Sequence, residues 1–328
     1  MKAFTALLFV LMAFPAFATS YTKVALVSVS SAYDERVIPY VMSAFEEKGY
    51  TVTDQYLKQS VSDLGYVDVA AARAKNLTNA LMDDSVDIVW FVKGGGGSVN
   101  MLPLLEKKLY DLSTAKPKVL VGFSDVTAVH EFVNKFLGWR TVHGVVAAFN
   151  TDVYAAEKQD GKETYEISSL ESLPSIDDLM GNGVSYDTLV PLNQRESVSG
   201  NVIGGNMTLV KSTLSTRFQN DMSKKILLLE DVGEAYRSLD RSLHHLLLSG
   251  LVDDVSAIIF GQFYPVDATD GERLVYKKVL TNFAKKFSKP VYYFPDFGHG
   301  HKNKPFILNG QASITCSKAN LYCAIKNM

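Results

Sequence analysis

Apolar positions along this chain repeat with two different periods, and the two alternate. Lys23-Val24-Ala25-Leu26-Val27-Ser28-Val29 is a β-branched run followed by turn residues and predicts a first strand. Residues 35–48 repeat at helical spacing through Val37, Val41 and Phe45 until Gly49-Tyr50. Thr51-Val52-Thr53 predicts a second strand, and 67–83 a helix with Ala71, Leu77 and Leu81 on one face. The strongly apolar stretch from Val86 to Val92 runs into Lys93-Gly94-Gly95-Gly96-Gly97-Ser98. A helix over 100–109 follows, then the strand Val119-Leu120-Val121-Gly122, which leads through Phe123 into Ser124 and a helical segment from Ala128 to Val133. Strands alternating with helices predict βαβ units and a mostly parallel sheet. In such sheets ligands sit beyond the carboxyl ends of the strands.

Residues 152–193 are more polar and acidic, which predicts a connecting segment, 152–195, between an N-terminal α/β domain at 19–151 and a second domain at 196–328. Gly200 to Asn206 leads into a helix ending near Leu214. Lys225 to Leu229 is a buried strand ending in Glu230-Asp231, and Val255 to Gly261 is another apolar strand. Helical spacing recurs over 239–248 and over 274–287, the latter with a basic face that reads as solvated surface. A last strand over 290–294 ends in Pro295-Asp296-Phe297-Gly298-His299-Gly300-His301.

A chain of 328 residues with 47% hydrophobic and 21% charged residues is an ordinary globular protein with room for two domains. A formal net charge of −2 supplies no basic field for nucleic acid and no polybasic patch for a membrane. Met1-Lys2, the apolar run Ala3 to Phe14 and Pro15-Ala16-Phe17-Ala18 form a signal-peptide pattern over residues 1–18, with the cut expected after Ala18. The alternative, an uncleaved anchor, needs about 20 apolar residues. The mature protein is therefore expected to be periplasmic or secreted, with no membrane contact after cleavage. Export allows Cys316 and Cys323 to form a disulfide across a hairpin around Ala319-Asn320, which is preferred to two free buried thiols.

Buried strand, sharp turn and helix form the context in which a serine hydroxyl stands exposed above a sheet edge, which singles out Ser124. Gly122 removes a Cβ where the backbone must bend, and the N–H of Asp125 lies at a helix N-terminus, where it can face developing negative charge. The competing reading is that Ser124 or Asp125 only caps the helix. The glycine tetrad has no Gly-Lys-Ser/Thr after it and is not a phosphate loop. It is either a flexible turn or a backbone that approaches a ligand closely and presents bare N–H groups.

Serine catalysis needs a base and an acid that orients it. Of six histidines, His244 and His245 lie mid-helix, whereas His299 stands between two glycines after a strand. Glu230 closes an apolar strand, a costly place for a charge unless it is paired. No His-Glu-x-x-His occurs, and neither a metal nor a cofactor is expected.

These stretches together resemble the LD-carboxypeptidase family of serine peptidases, which includes the muropeptide LD-carboxypeptidases and the microcin C immunity peptidases. Asp87 to Trp90 with Lys93 to Gly97 resembles the family's strand and Arg-Gly-Gly-Tyr-Gly loop. Gly122 to Thr127 resembles its nucleophile turn, and Thr141-Val142-His143-Gly144 its Thr-x-His-Gly-Pro segment. Gly204-Gly205-Asn206 with Leu209, Leu229 to Glu234 with Asp240-Arg241, and Phe297 to Gly300 resemble its helix start, acid strand and histidine loop.

The resemblance implies a parallel α/β N-terminal domain, flavodoxin-like or amidotransferase-like, and a smaller C-terminal β-rich α/β domain, with Ser124 as nucleophile, His299 as general base and Glu230 as its orienting acid. It implies an oxyanion hole from the N–H groups of Asp125 and of Gly95 or its neighbour Gly94. It also implies a small muropeptide-like peptide substrate, cleaved between an L-centre and a terminal D-amino acid, and a homodimer. The chain departs from the pattern at Lys93, which keeps a charge for a substrate carboxylate without arginine's fork, at Gly96, at Val145 and at Ser215-Thr216-Arg217-Phe218. Two alternatives remain. One is a peptidase for peptidyl-nucleotide toxins, in which Phe218 stacks on the base. The other is an exported binding protein without chemistry.

Overall fold

The computed structural model describes residues 21–148, 157–159, 162–164, 175–265, 267–300, 302–317 and 319–328, the two short pieces by backbone alone. The signal segment 1–18, part of the expected connecting segment and His301 lie outside them.

The first half forms β1 (Lys23–Val27), α1 (Ile38–Glu47), β2 (Thr51–Thr53), α2 (Ala70–Met82), β3 (Ile88–Phe91), α3 (Leu102–Glu106), α4 (Leu109–Leu112), β4 (Val119–Gly122), α5 (Thr127–Phe136) and β5 (Thr141–His143). After the short hairpin of β6 (Glu157–Gln159) and β7 (Lys162–Thr164) come α6 (Ile176–Asn182), β8 (Val184–Pro191), β9 (Val198–Asn206), α7 (Met207–Thr213), β10 (Ile226–Glu230), α8 (Tyr236–Ser249) and β11 (Ala257–Phe260). The chain ends with α9 (Asp270–Ala284), β12 (Val291–Tyr293), β13 (Phe306–Leu308), β14 (Gln311–Thr315) and β15 (Cys323–Asn327).

Two sheets result. One is six-stranded in the order β13-β5-β4-β3-β1-β2, parallel except for β13. Its strands are apolar on both faces because both are covered. Val24, Leu26, Ile88, Trp90 and Val121 pack with α1 and α6, while Ala25, Val27, Val89, Phe91 and Leu120 pack with α2, α3 and α5. β1 lies between β2 and β3, so the strand order reverses there, and the loops after β1 and β3 flank the crevice where such sheets take ligands. The other sheet closes into a barrel in the order β10-β11-β12-β8-β15-β14-β9. Ile226, Leu228, Ile259, Tyr292, Ile314 and Ile325 fill its interior, and α7, α8 and α9 cover part of its outside.

The expected division at 152–195 and 196–328 is redrawn by this topology. β8 and α6 both fall in the stretch read as connection. β8 is a barrel stave paired with β12 and β15, and Ile176 and Leu179 of α6 pack under the first sheet. β13, read as part of the C-terminal domain, pairs antiparallel with β5 in the first sheet. Its side chains alternate between the two cores, Ile307 into one and Phe306 and Leu308 into the other. Gly200 to Asn206, read as a lead into a helix, belongs to the nine-residue β9. Glycine is needed there because a Cβ at Gly204 would lie 2.2 Å from the Leu228 carbonyl oxygen. Cys316 and Cys323 are joined by a disulfide between the ends of β14 and β15, with Cα atoms 4.4 Å apart. Among the described residues no helix is long and apolar enough to cross a membrane.

α5 ties the halves together, and residues 127–134 of it are all buried. Asn206 N–H donates to Thr127 Oγ1 at 3.0 Å, and Lys135 Nζ donates to the carbonyls of Arg217 and Gln219, each at 2.7 Å. Thr213 Oγ1 lies 2.8 Å from Glu131 Oε2 and 2.9 Å from the Val210 carbonyl. The hydroxyl donates its one hydrogen to either of these acceptors. Burial pushes the Glu131 carboxyl up to about 8 from an ordinary 4.5, against the weaker pull of Thr213, Asn220 and Lys135. A carboxyl raised in the folded state contributes stability at low pH that is lost as pH rises through its folded value. Thermal stability should therefore fall as pH rises from about 5 to about 9, and Glu131→Gln should flatten that dependence. Melting curves across this range check it, and equal slopes in both proteins would refute it.

Candidate active site

Ser124 sits where β4 turns into α5, and the turn is strained. Its φ is 63°, in the left-handed region that a non-glycine residue enters only at a cost of about 1–3 kcal/mol. The strain turns the side chain out of the sheet. Ser124 is half-buried while Phe123, Asp125 and Val126 around it are buried. The turn is held from below, where His130 Nε2 donates to the Gly122 carbonyl at 2.9 Å, and burial pushes the His130 imidazole down to about 4. His130 is thereby a neutral clamp on the strand that precedes the serine.

Asp125 has a second part beyond its backbone. Its carboxylate accepts from Ser30 Oγ at 2.6 Å and Ser98 N–H at 3.0 Å, and its carbonyl accepts from Ser98 Oγ at 2.5 Å. Burial raises its affinity for a proton, and these bonds together with the nearby Arg73 oppose that. The side chain thus locks the serine turn to the end of the glycine loop and to the loop after β1. Arg73 lies buried beneath that loop, donating to the Val29 carbonyl, with its guanidinium 4.9 Å from the Tyr66 ring.

The glycine loop approaches the serine as closely as glycine allows. A Cβ at Gly94 would lie 2.9 Å from Ser124 Cβ and 3.1 Å from its Oγ. Gly95 has φ 122°, and a Cβ there would lie 2.0 Å from Ser31 Oγ. Lys93 is half-buried and donates from Nζ to the Ala32 carbonyl at 3.0 Å, using one of its three hydrogens.

The acid and the imidazole come from the barrel. Glu230 ends β10 with no exposed surface, and His299 Nδ1 donates to its Oε2 at 2.6 Å. Burial works against charge on His299, but the Glu230 carboxylate, its hydrogen bond and Asp231 outweigh it, so the imidazole lies above its usual 6.5. Because Nδ1 carries the donated hydrogen, Nε2 is the free acceptor of the neutral ring. Gly298 makes the approach possible, since a Cβ there would lie 2.9 Å from Glu230 Oε2. Asp231 turns away to bind Asn206 Nδ2 at 2.9 Å and both N–H and Oγ1 of Thr208. The His299 ring packs on Phe123, the residue before Ser124, with centroids 4.7 Å apart. Serine turn and glycine loop thus meet on one sheet, and Phe123 links them to the imidazole and acid that come from the other.

Phe218 does not join them. It is buried against Phe132 and Phe136, beneath Arg217, whose Nε donates to Glu106. The residues that sequence reasoning missed, Ser30, Ser98 and Arg73, act through distant partners. The position of Ser28 to Ser31 at the carboxyl end of β1 was the one available signal. Among the described residues no cluster of three His, Cys, Asp or Glu side chains is placed to hold a metal.

A parallel sheet joined to a closed barrel, with serine, glycine loop, carboxylate and imidazole at their junction, is the architecture of a hydrolase. The profile of the LD-carboxypeptidase N-terminal domain matches residues 24–144, and that of the C-terminal domain matches 199–314. The chain belongs to the LD-carboxypeptidase family. It is 39% identical over 250 residues to a Rickettsia prowazekii protein named "Putative carboxypeptidase", covering 74% of this chain and 72% of that one. It is 29% identical over 288 residues to the murein tetrapeptide carboxypeptidase of Pseudomonas aeruginosa, covering 86% and 89%. The crystal structure of muramoyltetrapeptide carboxypeptidase from Oxalobacter formigenes superposes with a TM-score of 0.75 at 20% identity, covering 93% of this chain and 98% of that one.

If residue 94 must lack a side chain for the loop to reach the serine, Gly94→Ala should lower kcat/KM for peptide hydrolysis about 10- to 100-fold through displacement of the loop. A steady-state assay of the folded variant checks this, and wild-type kinetics would remove the loop from the site.

Proposed function

We propose that this chain is an exported serine LD-carboxypeptidase acting on stem peptides of peptidoglycan. The observation that carries the reading is the 2.6 Å bond from His299 to buried Glu230, beside the strained turn that presents Ser124. In this reading Ser124 Oγ attacks the amide carbonyl while His299 Nε2 takes its proton. Glu230 stabilises the imidazolium that forms. The N–H groups of Asp125 and Gly95 face the oxyanion. His299 then gives its proton to the departing amine of the terminal D-amino acid, leaving an acyl-Ser124 ester. Water attacks this ester as its proton passes to His299, and Ser124 is released with the shortened peptide. Lys93 attracts the substrate's terminal carboxylate with its remaining donors.

The relatives named for murein peptides support this substrate class. The burial of Phe218 withdraws the residue that favoured nucleotide stacking.

The deciding experiment follows mass loss from L-Ala-γ-D-Glu-meso-diaminopimelyl-D-Ala. Wild type should release D-Ala, and Ser124→Ala should lose at least about a thousandfold in rate. Release undiminished in Ser124→Ala would overturn the nucleophile. Wild type that ignores the tetrapeptide but cleaves a peptidyl-nucleotide would overturn the substrate. The base must be neutral, so kcat/KM should fall as pH drops through the raised His299 value, with its acid limb above 6.5. Glu230→Gln removes what raises it, and should move that limb downward while cutting the rate about 10³- to 10⁴-fold. An unmoved limb would argue against the pair. Export is proposed on the signal-peptide pattern at residues 1–18. N-terminal sequencing of protein from the periplasm or medium should begin at Thr19, and a cytoplasmic, Met1-initiated product would refute it.

A further inference from the structure

One buried histidine has no place in the reaction above. His143 ends β5, opposite Gly122 of β4 and Phe306 of β13. It has no exposed surface, and neither ring nitrogen has a hydrogen-bond partner. Orphaned polar groups of this kind cost about 1–3 kcal/mol each and call for an explanation.

The contacts of the ring supply one. Its centroid is 4.6 Å from that of Phe297, two residues before His299, and 5.8 Å from that of Phe123, the residue before Ser124. Phe123 in turn packs on His299 at 4.7 Å. The rings therefore run His299, Phe123, His143, Phe297, and the chain returns from Phe297 to His299. The third side is β9, where a Cβ at Gly205 would come within 3.0 Å of His143 Nδ1. A five-membered ring fits against that backbone where a larger ring would press on it.

We propose that His143 is a positioning residue: an uncharged plate that holds Phe297, and with it the loop of the base, against Phe123, and so fixes how His299 meets Ser124. The proposal rests on the assignment of Ser124, His299 and Glu230 given above. Neutrality is part of it, because His299 becomes a cation in every turnover and a second cation behind Phe123 would oppose that. Burial first, and then His130 on α5 and His299 on the base loop, hold the His143 imidazole well below its usual value. The charges acting on His299 itself are those of Glu230 and Asp231.

His143→Ala and His143→Gln, followed on the tetrapeptide across pH, test it. Both should lose about 10- to 100-fold in kcat with KM within about twofold, since geometry rather than binding is disturbed. In His143→Ala the acid limb should move to higher pH, because water entering the vacated space relieves the burial that opposes charge on His299. Folded variants with wild-type kcat and an unmoved limb would overturn the role of His143. Wild-type turnover that survives Ser124→Ala would instead overturn the assignment beneath it. NMR titration of the histidine rings in wild type needs no folded variant: His143 should stay neutral well below the ordinary imidazole range, and titration near its usual value would overturn the proposal.

Discussion

The structure depends on one carboxylate without water. Glu230 has no exposed surface, and a lone ionised carboxyl in such a place is prohibitively costly. The imidazole of His299 makes it tolerable, and meeting that need dictates the architecture of the junction. The loop after β12 must fold back over the end of β10, which requires Gly298 where any side chain would strike Glu230. Gln262 N–H donates to the Phe297 carbonyl, and the Gln262 carbonyl accepts from Asp231 N–H, lacing the same loop to the ends of β10 and β11. Asp231, next in sequence, is spent on Asn206 and Thr208 and so anchors the start of α7.

Against this fixed pair, the serine is brought by strain rather than by reach. Its short side chain cannot search for a partner, so the backbone is bent to deliver it, and the bend is maintained by contacts on every side. His130 holds the strand before it, Asp125 the loops beside it, and Thr127 the end of β9 opposite. α5 therefore has two duties, one at its first turn and one along its length, where Glu131 and Lys135 hold the second half of the chain. This explains polar residues inside a helix buried on nearly every side.

What the sequence made legible follows from these demands. β1, β3, β4, β10 and β11 are covered on both faces, so their residues form unbroken apolar runs that any reading finds. β8 buries only Val184 and Leu189 fully, in different cores and with exposed residues between them, so its pattern is lost in a polar stretch. β9 hides behind glycines kept for close backbone approach, and β13 is three residues whose partner lies far away in sequence. Ser124, Glu230 and His299 could be singled out because each stands at or beyond the end of a readable strand. Ser30 and Arg73 were not, because they act on partners 95 and 44 residues away. His143 was visible only as part of a motif, since nothing local tells an orphaned ring from an ordinary core histidine.

The stitch made by β13 has a consequence for how this molecule can be taken apart. A chain with two sheets invites cutting at the connection and expressing each piece. Here the second piece would carry away the edge strand of the first, exposing the backbone of β5 and leaving Ile307 without the core it fills. An uncovered strand edge is a template for aggregation. The two halves are thus separable on paper but sewn together by β13 and by α5, and these seams also oppose the swinging of one half against the other.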